Sequence, residues 1–227
     1  METMGNEGHM ERYEYNVLTA CVDIVHPVSR GFHEEYADEL DLADAAERLA
    51  RMLAEGHLFA ADRDSHLNCP DYRGAPDYSG VVVCVPTVEE IASALTTLDG
   101  RFGVGLTARG AALWEAVAEP NWDLYIEESG DGFDKEQETW ETHLWSRTKR
   151  RLEDAIRFRY AGEPVSGTQE WESVAPWRAT YWKTLPEGYH VRLRTGSHPG
   201  LKDWTEEERI WCETLRWHRP FSALRRL

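Results

Sequence analysis

Apolar and polar positions alternate over a short stretch near the middle of the chain and then change to a helical spacing. Phe102, Val104 and Leu106 lie at every second position, which predicts a strand with one buried face. Thr107 follows as a candidate N-cap for a helix whose apolar side chains recur at steps of three and four. These side chains are Ala111, Leu113, Trp114 and Val117. Pro120 ends this helix.

The same patterns predict further elements on the N-terminal side. They are helices over residues 13–28, 42–55 and 88–98 and strands over residues 57–61 and 81–85. Asp41 and the pair Thr87–Glu90 carry the oxygens that cap helix N-termini, and Gly56 suits a helix end. The apolar run 81–85 is predicted to be a buried strand, after a polar loop over residues 62–80.

The C-terminal part shows a different organisation. Residues 127–134 are acidic and contain glycine, which suggests a boundary between units. A long helix is predicted over residues 135–159, because Trp140, Leu144, Leu152 and Ile156 fall on one helical face. Residues 177–185 and 189–195 are predicted to form a hairpin, with Pro186-Glu187-Gly188 as its turn. Thr205 and Glu208 form a capping box that opens a last helix.

The segment Leu106-Thr107-Ala108-Arg109-Gly110 resembles the LTxxG strand-to-helix junction of MarR- and PadR-type winged-helix proteins. Such proteins have a short wing, whereas some forty residues separate the strand predicted over residues 57–61 from the strand that ends at Leu106, so either the wing is enlarged by an insertion or the resemblance is partial. A group of bacterial proteins is also similar to most of the chain from about Leu42, and this resemblance lends no activity. It rests on Pro86-Thr87-x-x-Glu90-Ile91, Leu106-Thr107, Trp114-Glu115, Pro120-x-Trp122 and Pro176-Trp177-x-x-x-Tyr181-Trp182-Lys183-Thr184-Leu185. The expected fold is α+β: a winged-helix-like N-terminal unit over residues 1–126, then a long helix and a small Trp-rich unit over residues 135–227.

Charge is distributed unevenly along the 227 residues, whose formal net charge is −16. Up to Glu141 there are 9 Lys and Arg against 30 Asp and Glu, and from Thr142 onward there are 16 against 11. Such an acidic surface repels nucleic acid and attracts a basic partner. The candidate contacts for a basic protein in this region are Asp62, Asp64, Asp71 and Asp77.

Two of the ten tryptophans are candidate anchors for the same partner. Trp177 and Trp182 are an odd number of positions apart, so they are predicted to face opposite sides of the first hairpin strand. At most one of them then lies in the core, and tryptophan is common at the centre of interfaces. The hairpin is therefore the preferred contact surface.

DNA binding is the alternative that the resemblance suggests. A winged helix that binds DNA needs Lys and Arg on its recognition helix and wing. The corresponding helix carries Arg48 and Arg51 among several acids, and a second basic face is formed by Arg192 and Arg194. The acidic neighbours of Arg48 and Arg51 disfavour duplex binding by the N-terminal unit.

Neither a metal, a cofactor nor a catalytic motif is predicted. His66, Cys69, Cys84 and His57 lack the two close pairs of a structural zinc site. Ser146-Arg147-Thr148-Lys149 matches S-x-x-K without the partner motifs. Four scattered cysteines, with neither a signal peptide nor a membrane span, indicate a cytoplasmic protein.

The sequence therefore favours a non-enzymatic acidic protein that engages a basic partner, as an immunity-type or antitoxin-like inhibitor or an adaptor does. The alternative is a winged-helix transcriptional regulator acting as a dimer. An enzyme of unknown type is the third hypothesis, and it requires a deep polar pocket that holds a carboxylate with a shifted pKa. The oligomeric state stays open.

Overall fold

A computed structural model describes residues 10–36, 40–62, 81–98, 100–197 and 204–224. The protein is mixed α+β and divides into two compact units. Among the described residues, the first unit contains residues up to 118 together with 220–224, and the second contains residues 119–197 and 204–219. The division therefore falls after Ala118, and residues 127–134 lie inside a strand.

The first unit combines helices with a small antiparallel sheet. Its elements in chain order are α1 (Arg12–Ala20), β1 (His26–Pro27), α2 (Arg30–Tyr36), α3 (Leu42–Ala54), β2 (Leu58–Asp62), β3 (Val83–Cys84), α4 (Val88–Ala94), β4 (Phe102–Leu106), α5 (Ala108–Ala118) and, near the C-terminus, α8 (Phe221–Leu224). The sheet order is β1-β4-β2-β3. Every residue of the central strand β4 is buried.

Local capping signals begin the helices where the sequence predicts them. Asp41 Oδ1 accepts a hydrogen bond from the backbone N–H of Asp44 at 2.9 Å, and Thr87 with Glu90 forms a reciprocal capping box. Thr107 Oγ1 accepts from the backbone N–H of Gly110 at 3.1 Å and donates to the carbonyl oxygen of Gly56 at 2.6 Å. The Thr of the LTxxG segment thus caps α5 and ties it to the end of α3.

Two predictions for the first unit are corrected. The helix predicted over residues 13–28 ends at Ala20, and the following residues lead into β1. The apolar run 81–85 is not a buried strand: only Val83 and Cys84 pair, at the sheet edge, and Val85 is 92% exposed. An edge strand has one neighbour, so an apolar run there is covered less than one in the sheet centre.

The second unit is built around a larger antiparallel sheet. Its elements in chain order are β5 (Ile126–Asp134), β6 (Thr139–Ser146), α6 (Lys149–Arg157), β7 (Glu170–Val174), β8 (Trp177–Arg178), β9 (Thr184–Leu185), β10 (Gly188–Thr195) and α7 (Glu206–Glu213). The main sheet has the order β5-β6-β10-β7, and β8 pairs only with β9. Within the described ranges, every helix of the protein is too short or too polar to cross a lipid bilayer.

The predicted long helix is replaced by a β-hairpin and a short helix. Residues 126–146 form β5 and β6, and only Lys149–Arg157 is helical in the region where the sequence predicts residues 135–159. Trp140 and Leu144 are four positions apart, a spacing that suits a helix and also places both on one face of a strand. Residues 139–146 form a strand because they pair with β10, which lies some fifty residues later in the chain.

The predicted hairpin is also corrected. Residues 189–195 do form a strand with alternating faces, and Val191 and Leu193 are buried, but β10 pairs with β6 and β7. Residues 177–185 instead form their own small ladder, in which Trp177 pairs with Leu185. The turn residue Gly188 packs so tightly that an added Cβ would lie 2.7 Å from the Trp177 ring.

The main sheet of the second unit has one apolar and one polar face. Leu144, Val191 and Leu193 form the core together with helix residues, which are Leu152 and Ala155 of α6 and Trp211 of α7. Alternate residues of the same strands point away from this core. The polar face is therefore the face of the sheet opposite to this core, and its two central strands, β6 and β10, are paired on both sides.

Candidate functional site

A groove of about 480 Å³ lies on the polar face of the second unit's sheet. Most of its lining residues alternate along three neighbouring strands, because residues at every second position share a face, and Trp171, which packs against the core on the other face, is the exception. They are Glu141, His143 and Trp145 of β6, His190 and Arg192 of β10, and Glu170, Trp171, Glu172 and Val174 of β7. We call this set the groove.

Four side chains of the groove form a continuous hydrogen-bonded chain. His143 Nε2 lies 3.1 Å from Glu141 Oε1, and His143 Nδ1 lies 3.0 Å from His190 Nε2. His190 Nδ1 lies 2.6 Å from Glu172 Oε1. We call these four residues the Glu–His–His–Glu chain. An ionised carboxylate only accepts hydrogen bonds, so each histidine donates through the nitrogen that faces its glutamate.

The two imidazole rings lie side by side in nearly one plane. Their planes differ by 4°, and their centroids are 5.2 Å apart with 3.0 Å between the facing nitrogens. This geometry points the N–H of one ring at the lone pair of the other. The indole of Trp145 lies parallel to both rings, with centroid distances of 4.5 Å to His190 and 5.6 Å to His143. The histidine pair thus rests against an aromatic surface.

Arg192 bridges two of the groove's three carboxylates. Its Nη2 donates to Glu141 Oε2 at 2.7 Å, and its Nη1 donates to Glu170 Oε2 at 3.4 Å. The hydrogen bond from Arg192, and then that from His143, lower the pKa of Glu141 below its usual value. Glu141 therefore stays ionised, and the guanidinium of Arg192 is already occupied.

Burial and hydrogen bonding act in opposite directions on His190. Loss of solvent lowers the pKa of His190 most strongly, while the hydrogen bond to Glu172 raises it, and the net direction is downward. The side chain of Glu172 is 65% exposed and that of Glu170 is 72% exposed. Both rim carboxylates are thus accessible beside histidines that are held inside.

The charge of the groove favours a cationic ligand. Three glutamates face a single arginine, so with neutral histidines the groove carries an excess of two negative charges. Trp145 is 5% exposed and supports the histidine pair from below, so the charged groups are what the groove offers to a ligand. Carboxylates are the groups that form charge-assisted hydrogen bonds with guanidinium and ammonium.

The structure describes only part of the set of residues predicted to bind a basic partner. Asp62 ends β2, while Asp64, Asp71 and Asp77 lie outside the described residues. Trp177 is 2% exposed and packs within the second unit, so it is not a surface anchor. Trp182 is half-buried, and its ring centroid lies 5.8 Å from that of Trp122.

The arginines considered for nucleic acid are engaged by acids. Arg48 pairs with Glu11, and Arg51 pairs with Glu14 at 2.5 Å. Arg192 belongs to the groove, and Arg194 Nη1 donates to Asp134 Oδ2 at 3.1 Å. Each of these four guanidinium groups therefore has a carboxylate partner within the protein.

The residues considered for zinc are also described only in part. His57 Nδ1 lies 3.4 Å from Glu55 Oε2, and Cys84 belongs to the edge strand β3. His66 and Cys69 lie outside the described residues. In the part of the chain that the structure describes, no three His, Cys, Asp or Glu side chains are grouped as ligands for a metal ion. Burial raises the pKa of the Cys21 thiol to about 12.

The groove itself was not predicted from the sequence. Glu141, His143 and Trp145 stand at alternate positions, which is the signal for one strand face, but the helix predicted there concealed it. His190 lies 47 positions after His143, so the spacing along the chain does not indicate a pair. Comparisons with models of protein families, with curated proteins and with solved structures found no match to this chain.

Proposed function

We propose that this chain is a non-enzymatic binding protein that engages a basic segment of a partner protein through the groove. The observation that carries the proposal is the groove's charge: three glutamates against one arginine that two of them already hold. An immunity-type or antitoxin-like inhibitor, or an adaptor, acts in this way on a basic target. A cytoplasmic location belongs to the same proposal.

Binding is favoured over catalysis by the state of the two histidines. Both ring nitrogens of His143 and of His190 take part in the Glu–His–His–Glu chain. Among the described residues that line the groove there is no Ser, Thr, Cys or Lys side chain to act as a nucleophile. The groove presents fixed charges and oriented hydrogen-bonding groups, which are the means of recognition.

For the first unit we propose a winged-helix-like arrangement with an enlarged wing. It is supported by the helices α1, α2 and α3, by the neighbouring strands β1, β4 and β2 of the sheet, and by the LTxxG junction. A DNA-binding regulator remains the alternative function, but Arg48 and Arg51 are each held by a glutamate. A winged helix whose cations are neutralised is better suited to contact protein than phosphate.

The test is an affinity pull-down from host lysate, with and without nuclease and at low and high salt. Wild type is compared with Glu170→Gln/Glu172→Gln, which removes the accessible charges of the groove. The control is Glu187→Gln/Glu213→Gln, which removes two exposed carboxylates of the same unit outside the groove. Bound proteins are identified by mass spectrometry.

The proposal predicts a stoichiometric partner that is rich in Lys and Arg. Wild type and the control variant should capture this partner with or without nuclease and release it in high salt, whereas Glu170→Gln/Glu172→Gln should not capture it. A partner that both variants retain equally would contradict the groove as the contact surface. Material that disappears on nuclease treatment would favour the DNA-binding alternative.

A further inference from the structure

The three hydrogen bonds of the Glu–His–His–Glu chain require more protons than two neutral histidines carry. Its three hydrogen bonds, at 3.1, 3.0 and 2.6 Å, use all four ring nitrogens. The two carboxylates accept, so one proton stands at each end, and the central N···N bond needs a third. Two neutral imidazoles carry one N–H each. The geometry is therefore that of a histidine pair sharing one additional proton.

Removing the third proton changes the hydrogen-bonding groups that the histidine pair offers to a ligand. His143 Nδ1 and His190 Nε2 then both become acceptors, and at 3.0 Å their lone pairs face each other. Two convergent acceptors beside carboxylates need a hydrogen-bond donor between or beside them. A cationic N–H group from a ligand satisfies this need and compensates the lost charge at the same time.

All strands of the sheet contribute charged groups around this pair. Glu141 adjoins it on β6, Arg192 lies beside it on β10, and Glu170 and Glu172 face it from β7. On β5, Glu127 stands opposite Trp145 in register and Ser129 opposite His143. Helices α6 and α7 pack against the other face, with the core residues. The surroundings are therefore predominantly anionic.

We propose that the groove binds the guanidinium or ammonium group of its basic partner in exchange for the shared proton of His143 and His190. This inference rests on the proposed function. The proton leaves to solvent, and the incoming N–H groups donate to a vacated ring nitrogen and to the exposed carboxylate of Glu172. The Glu–His–His–Glu chain passes from one net negative charge to two, which the ligand's positive charge then offsets.

The exchange fixes the direction of the pH dependence. At low pH the proton occupies the pair, adds a positive charge to the groove and competes with the cation. Affinity therefore rises with pH, by up to about tenfold per pH unit where one proton is released, and becomes constant once the pair is neutral. Burial lowers the pKa of His190, which places the change on the acid side of its ordinary value of 6.5.

The experiment uses acetyl-hexa-arginine amide as the probe and the full-length protein. Calorimetric titrations at about pH 5, 6, 7 and 8, each in two buffers of different ionisation enthalpy, measure the affinity and the protons released. The variants are His143→Gln and His190→Gln, and the control is His218→Gln, a histidine of the same unit outside the groove.

We expect wild type and His218→Gln to release close to one proton per peptide at acid pH and none at about pH 8. We expect His143→Gln and His190→Gln to bind more weakly than wild type at about pH 8, because each removes a ring nitrogen that accepts from the ligand, and to show a flatter pH dependence with little proton release. Far-UV circular dichroism of the variants checks that each is folded.

The outcomes separate this inference from the proposed function. Peptide binding that depends on Glu170 and Glu172 but not on pH would overturn the exchange and leave the binding function standing. An unchanged pH dependence in both histidine variants would also overturn the exchange. Absence of peptide binding at every pH would overturn the exchange and contradict the proposed function together.

Discussion

Gly110 packs directly on the backbone of His57. A Cβ added to Gly110 would stand 1.9 Å from the carbonyl oxygen of His57, closer than any non-bonded carbon and oxygen can approach. The same carbonyl accepts a hydrogen bond from the backbone N–H of Thr107 at 3.1 Å. The LTxxG segment is thus a close junction between α5 and the chain leaving α3, and its glycine is required by space.

Gly110→Ala is therefore expected to lower the free energy of unfolding by about 3 kcal/mol or more, because the backbone must move to admit the methyl group. Gly31→Ala in α2 is the control. Its added Cβ would lie 3.7 Å from Ser29 Oγ, so we expect no loss and a gain of up to about 1 kcal/mol from helix propensity. Urea denaturation followed by circular dichroism measures both. Equal stability of the two variants would contradict the close junction.

Arg151 is buried, and its guanidinium donates hydrogen bonds to backbone carbonyls and a threonine hydroxyl among the described residues. It donates to the carbonyl oxygens of Leu124 and Thr214, both at 3.2 Å, and its Cζ lies 4.9 Å from the centroid of the Trp211 ring. Burial lowers the pKa of this guanidinium. Its role is to hold together backbone segments that lie far apart in sequence.

Arg151→Met is expected to lower the free energy of unfolding by about 2–3 kcal/mol, because two carbonyl groups lose charged donors. Lysine lacks the planar fork, so Arg151→Lys is expected to recover less than half of the loss. Arg150→Met, on the same helix with an 89% exposed side chain, is the control and should stay close to wild type. Full recovery by lysine in denaturant unfolding would show that charge alone matters.

The ion pair between Arg159 and Glu208 predicts that part of the protein's stability is lost in acid. Arg159 donates through Nε and Nη2 to the two oxygens of Glu208 at 2.5 and 2.8 Å, and this lowers the pKa of Glu208 from 4.5 to about 2. Because the folded protein holds this proton less tightly than the unfolded chain, the group stabilises the fold fully above about pH 4.5. That contribution is lost as the pH falls towards about 2.

Glu208→Gln is thus expected to lower the melting temperature clearly at neutral pH and progressively less as the pH falls from about 4.5 towards about 2. Glu213→Gln, an exposed carboxylate at the end of the same helix, controls for the loss of charge. Melting curves by circular dichroism across this range give the comparison. A difference from wild type that is constant over the whole range would argue against the ion pair as its cause.

Duplex DNA binding by the first unit has its own test. Because Glu11 holds Arg48 and Glu14 holds Arg51, we expect wild type to show no measurable binding to a labelled duplex by fluorescence anisotropy at moderate salt. Glu11→Gln/Glu14→Gln frees both arginines and is expected to raise non-specific affinity. If wild type binds the duplex tightly and Arg48→Ala/Arg51→Ala abolishes this binding, the result would favour a DNA-binding regulator over a protein that binds a basic partner.

Elements set by local chemistry were predictable from the sequence. The capping residues Asp41, Thr87 and Thr205 begin helices where expected, because a side-chain oxygen and a nearby backbone N–H suffice to form a cap. The strand Phe102–Leu106 and the helix after it also follow from their own spacing. In these cases the determining residues lie within one turn of each other.

The groove depends on pairing between distant segments and was therefore missed. His143 and His190 meet because Trp145 pairs with His190, and Glu172 joins because it pairs with His190 on the other side. A helical interpretation of 135–159 accounts for the apolar spacing equally well, and only the β6–β10 register excludes it. An interaction between residues 47 positions apart leaves no local signal.

The central claim is that the groove binds a basic segment, and the most direct measurement is nuclear magnetic resonance of the ¹⁵N-labelled protein titrated with acetyl-hexa-arginine amide. The indole signal of Trp145, assigned with Trp145→Phe, reports on the groove, and that of Trp114 reports on the first unit. We expect saturable shifts for Trp145, lost in Glu170→Gln/Glu172→Gln, with Trp114 unchanged. An unmoved Trp145 signal, or one that moves equally in the groove variant, would contradict the claim.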